Sequence, residues 1–165
     1  MNLTHARRVF LFQNGLIELM LPLKEIGNWP MQRPFANANH PLWIVGHLAV
    51  TADRVAGMLS GDATTLDTWR DRFGIGSEVL DDAAAYPPFH EVHGAWQAAN
   101  QRLADAAGAV DASVLERPFP LPDSPLAEHL DSVGALAAFV MASHVPFHAG
   151  QLSMWRRARG ASALF

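Results

Sequence analysis

The chain has 165 residues, a net charge of -4 and only 17% charged residues, with half of the composition hydrophobic. That is enough chain for one well-buried core, and it excludes both an acidic disordered tail and a basic nucleic-acid binder. No cysteine is present, which removes disulfides, thiolate metal sites and a protein-borne thiol nucleophile together.

The apolar spacing predicts a first helix over about Thr4 to Leu21, with Val9, Phe12, Leu16 and Met20 on its inner stripe, Phe10, Ile17 and Leu21 beside them, and Pro22 and Gly27 ending it. No apolar run approaches the ~20 residues of a membrane span, and the N-terminal stretch lacks a cleavable signal pattern. The expectation is a soluble, cytoplasmic protein of one domain, residues 1–165, with no nucleic-acid or membrane partner. After a Pro- and Asn-rich loop, Asn39 as N-cap and Pro41 in the first turn open a second helix running to about Ser60. Its inner stripe is Ile44, His47 or Leu48, Thr51, Val55 and Met58. Gly61-Asp62 stops it.

Residues 61–88 read as a long excursion with a short helix near Thr65 to Phe73, and an excursion of that length in a compact domain is often functional. A third helix follows Pro87-Pro88, with Phe89, Val92, Trp96, Ala99, Leu103 and Ala106 on one face, fading at Gly108. Four prolines between Pro118 and Pro125 enforce a second crossing. The last helix, about Leu126 to Arg159, carries Val133, Ala137, Met141, His144, His148, Leu152 and Trp155 as one stripe. Four long helical patterns and two long connections predict an all-α four-helix bundle.

His144 and His148 are four residues apart, about 40° around a helix and about 6 Å along it, so both imidazoles can reach one ion. His47 lies among the inward residues of the second helix. Three histidines from two facing helices match a three-histidine divalent metal site with coordination positions left open. The competing explanation makes each a core histidine satisfied by its own neighbour, and asks the bundle for three separate partners. His90 and His93 fall in a solvated first turn, and His5, His40 and His129 at surface or capping positions. No Glu-x-x-His, His-Glu-x-x-His, P-loop or dinucleotide fingerprint occurs. Trp43, one turn before His47, and Gln151, beside His148, are candidate substrate contacts. Arg54 and Arg156, each about two turns beyond a histidine, are candidate carboxylate clamps, surface charge being the alternative for both.

The segment His144-Val-Pro-Phe-His148-Ala-Gly-Gln-Leu152, followed by Arg156-Arg157-Ala-Arg159-Gly160, resembles the last-helix signature of the DinB-like superfamily, which includes YfiT-type proteins. Trp43-Ile-Val-Gly46-His47-Leu48 resembles the same family's second-helix motif. The resemblance implies a four-helix bundle with up-down-down-up connections and a divalent metal, zinc or nickel, held by His47, His144 and His148. It also implies a metal-dependent enzyme acting on a small molecule, a thiol S-transferase using a low-molecular-weight thiol or a related hydrolase. The alternative is a non-catalytic, stress-associated bundle with a structural metal and a dimerisation role; a homodimer is compatible with the apolar content. Pro146 departs from a regular helix between the two late histidines, where a kink would tune the ligand angle or spread the pair too far for one ion.

Overall fold

A computed structural model describes residues 2–25 and 27–164. Among the described residues the fold is all-helical, with no strand and one isolated β-bridge, Pro118 to Ser132. The long segments are α1 (Thr4–Met20), α2 (Pro41–Ser60), α4 (Phe89–Ala109) and a final helix built of α6 (Val133–Phe139), a π turn (Val140–His144) and α7 (Val145–Ala158). Two short helices, α3 (Arg70–Phe73) and α5 (Ala112–Leu115), lie in the two crossings.

α2 is the central element. Its apolar residues are buried nearly all round, so Ile44, His47 and Leu48 are all inside rather than one stripe alone. α4 covers one side of it, and the final helix lies against α1 and α2. By length and composition α2 and the final helix could each cross a membrane, contrary to the sequence expectation, but 83% and 50% of their apolar windows are buried within the protein. Burial against other helices uses the surface that a bilayer would otherwise cover.

Two boundaries and one inward face differ from expectation. Asn39 does not cap α2; His40 does, its Nδ1 accepting the Trp43 N–H at 3.1 Å. Its Nε2–H donates to the Leu80 carbonyl at 3.0 Å, so this fully buried ring pins the helix start to the excursion. In α1 the inner residues are Phe10, Ile17 and Met20, whereas Val9 and Phe12 face solvent. α1 is apolar on two faces, and its polar residues choose between them: Arg7 bonds the Ala104 carbonyl, Asn14 bonds Asn100 and Glu18 pairs with His93, all on α4. His93 is therefore engaged by Glu18 at 2.9 Å rather than solvated, while His90 is exposed.

The final helix starts at Val133, not Leu126. Ser124 caps only a 3-10 turn, Pro125–Glu128, and the backbone of Arg117 and Phe119 then holds Asp131 to Val133 extended. Ser132 is the working N-cap, its Oγ accepting from the Ala135 N–H. Pro146 follows the π turn directly, and the Val145 N–H bonds the Val140 carbonyl five residues back. A one-residue widening there relieves the clash and the missing donor that proline brings to an α-helix interior.

Candidate metal centre

The three imidazoles meet. His144 Nε2 lies 3.0 Å from His47 Nε2 and 3.2 Å from His148 Nε2, and one ligand atom from each falls within a 4.8 Å cluster. Three nitrogens bound at about 2.0–2.1 Å to one ion sit roughly 3.0–3.4 Å apart, between octahedral and tetrahedral angles. Pro146 therefore does not spread the pair. The π turn takes up its strain and leaves His144 and His148 aimed at one point.

Neighbours fix the tautomers. His47 Nδ1–H donates to the Phe73 carbonyl at 2.7 Å, and His148 Nδ1–H donates to Gln151 Oε1 at 3.1 Å. Each bond leaves the Nε2 lone pair pointing inward, the arrangement that metal-ligating histidines use. Gln151 is held in turn by Asn39 Nδ2 at 3.2 Å. His144 Nδ1 is buried without a partner, and a single N–H on His144 Nε2 cannot point at both neighbouring lone pairs. A cation at the shared point satisfies all three, so the donor set fits a divalent ion. Among the described residues no fourth His, Cys, Asp or Glu joins the group.

Burial sets the electrostatics. Desolvation, reinforced by the neighbouring His148 and His47, holds His144 down at about 3. Desolvation and His47 hold His148 at about 4 against the bond to Gln151, and desolvation also lowers His47. Neutral imidazoles, the ligating form, are thus the resting state across the physiological range. The indole of Trp43 stacks on His47 at 4.7 Å and 8°, and its Nε1–H donates to Ser77 Oγ at 3.0 Å.

The cluster opens onto a cavity of about 1210 Å³, walled by Trp43, Arg54 and Gln151 among others. Arg156 lies off that wall. The excursion forms one side through Asp67, Arg70 and Gly74 to Gly76, as its length suggested. Two residues that position the site carry no motif. Phe73 reaches His47 through its main chain, invisible to side-chain patterning, though Gly46 was a signal: a Cβ there would collide with the Phe73 ring. Asp53 is 1% exposed and accepts bonds from the Thr65 N–H, Thr65 Oγ1 and the Leu66 N–H, with Arg102 pairing against it. A charged residue in an inward register of α2 was its trace.

The sequence model of the DinB superfamily matches residues 25–152, a span that contains all three histidines and both crossings. No curated protein matches the chain. The family match covers well over half of the chain, which belongs to the DinB superfamily.

Proposed function

We propose that this DinB-superfamily protein is a metal-dependent enzyme in which His47, His144 and His148 hold a divalent ion, zinc or nickel, for transfer of a low-molecular-weight thiol to a small electrophile. The observation that carries it is the convergence of three Nε2 atoms, on two buried and one half-buried histidine, in the lining of an open cavity. The finer fold assignment belongs with it: a four-helix bundle with up-down-down-up connections, in which the two long crossings wall the site.

A divalent ion held there supplies Lewis acidity, lowering the pKa of a thiol or water that reaches its open side. The chain supplies the rest. The Phe73 carbonyl and Gln151 hold two imidazoles in the ligating tautomer, and Trp43 shields one face of His47 by stacking. With no cysteine in the chain, the nucleophile comes from a small molecule, a thiol for transfer or water for hydrolysis.

Two observations favour catalysis over a structural ion. A structural site closes its shell with four protein ligands, whereas this group has three among the described residues. The core of α1, α2, α4 and the final helix also forms one large apolar cluster, enough that the fold does not need an ion as a staple. Metal analysis of the parent and of a His144→Ala, His148→Ala variant tests the ion: near-stoichiometric metal in the first, almost none in the folded second. Thiol transfer to a chromogenic electrophile, lost on chelation and restored by metal, tests the chemistry. A parent that stays metal-free after incubation with zinc and with nickel refutes the assignment.

A further inference from the structure

The imidazoles occupy one end of a cavity much larger than an ion and a small nucleophile need. α2 forms its floor. Along that helix the cavity meets His47, then Thr51 one turn on, then Arg54 two turns on. Seven residues of helix separate His47 from Arg54 by about 10 Å along the axis. The lining is also apolar, with Leu121, Leu126, Leu136 and Phe139. At the mouth, Ile75 from the excursion and Phe147 from α7 are 76% and 64% exposed, large apolar side chains with nothing over them among the described residues.

The charged groups at the far end are Arg54, Arg70, Asp67 and Asp71. Arg70 and Asp67 pair with each other at 3.4 Å on an exposed edge, and Asp71 is exposed. Arg54 is half-buried, and no ion pair engages it among the described residues. Burial, and then the adjacent Arg70, push its pKa down against the smaller opposing effect of Asp67, a penalty that an incoming anion relieves.

We infer that the cavity takes an elongated amphipathic anion, with a donor atom for the three-histidine end, an apolar middle against Leu136 and Phe139, and a carboxylate or phosphate that meets Arg54. A guanidinium recognises either head group through paired N–H donors. The donor end rests on the metal-dependent function proposed above; the Arg54 end does not.

The experiment has two arms. In the first, metal-free protein is titrated calorimetrically with octanoate, octyl phosphate and octanol. At least one anion binds about tenfold or more tightly than octanol, the scale of a charge-assisted hydrogen bond in a partly buried site. The advantage is lost in Arg54→Gln, partly kept in Arg54→Lys, and unchanged in Arg156→Gln, with folding of each variant followed by circular dichroism. The tighter of the two anions identifies the head group. In the second arm, nickel-loaded protein is titrated with mercaptooctanoate and mercaptopropionate, and thiolate-to-nickel absorption is read. The longer thiol binds about tenfold more tightly, and Arg54→Gln removes the difference. Equal binding of octanol and both anions, or an Arg54→Gln variant with parental affinities, overturns the inference. Failure of both nickel and zinc to load while the first arm behaves as stated leaves the anionic end standing and refutes the metal-dependent function. Nickel-thiolate absorption that is insensitive to chain length and to Arg54 refutes the anionic end and leaves the metal site standing.

Discussion

Gly46→Ala is the most discriminating single substitution, because it reaches the site without touching a ligand. A Cβ at residue 46 would lie 2.7 Å from Phe73 Cγ and closer still to Cδ1 and Cε1. Phe73 is fully buried, so its ring cannot swing into solvent. The ring and its main chain must shift together, and the Phe73 carbonyl is the acceptor that orients His47. Overpacking of a buried aromatic costs about 1–3 kcal/mol, and such a close approach argues for the upper end. Helix propensity returns about 1 kcal/mol on exchanging glycine for alanine inside a helix. The net is a loss of about 2 kcal/mol, or roughly 4–8 °C in Tm for a domain of this size. Loss of the carbonyl that fixes the His47 tautomer weakens metal binding by about 10–100-fold. Calorimetric melting of the metal-free variant and competition with a chromogenic chelator measure the two effects separately. Parental metal affinity in a destabilised Gly46→Ala protein would refute the role of Phe73 in orienting His47. Parental Tm and affinity together would refute the close packing of α2 on α3.

Other perturbations have equally definite outcomes. In metal-free protein the folded-state pKa values of about 3 for His144 and about 4 for His148 lie below the unfolded value of about 6.5. The folded state then binds fewer protons, so stability is complete above about pH 6.5 and falls as pH drops towards the folded values, by about 2 kcal/mol per histidine at pH 5; melts in chelator at pH 8, 6.5 and 5 that superimpose would contradict the burial of the neutral cluster. Asp53→Ala strips the acceptors of Thr65 and Leu66 and leaves Arg102 unpaired, a loss of about 3 kcal/mol. Limited proteolysis then cuts faster within residues 61–88, and an unchanged cleavage rate would show that Asp53 does not anchor the excursion. Gly150 and Gly94 are exposed helical positions where a Cβ meets nothing within 4 Å, so alanine at either raises stability by up to about 1 kcal/mol. A drop in Tm at both would show that helix propensity does not govern these faces.

The four long helical segments and the late His144/His148 pair were legible in the chain because both depend on local spacing. Apolar residues recurring at three and four places marked α1, α2, α4 and the body of the final helix, and two histidines at i and i+4 share a face whatever surrounds them. Which face of α1 turns inward was not local: Val9 and Phe12 satisfy the periodicity as well as Phe10 and Ile17 do. Only the partners of Arg7, Asn14 and Glu18 on α4 decide between them. The apolar spacing puts the start of the final helix too early, near Leu126, because the pairing of Arg117 to Phe119 with Asp131 to Val133, which holds the chain extended up to Ser132, is not a local property.

The effect of Pro146 had two outcomes open to it, and the π turn, a hydrogen-bond register that proline spacing does not encode, brought the histidines together. The sequence by itself determined the helical class, the absence of thiol chemistry in the chain and the three candidate histidines, because composition and helical period are properties of neighbours along the chain. Tertiary structure alone decided the rest. The convergence of three Nε2 atoms, the main-chain acceptor that orients His47 and the buried Asp53 that ties down the cavity wall all join residues far apart in sequence. Such contacts form only when packing brings separate segments to one place.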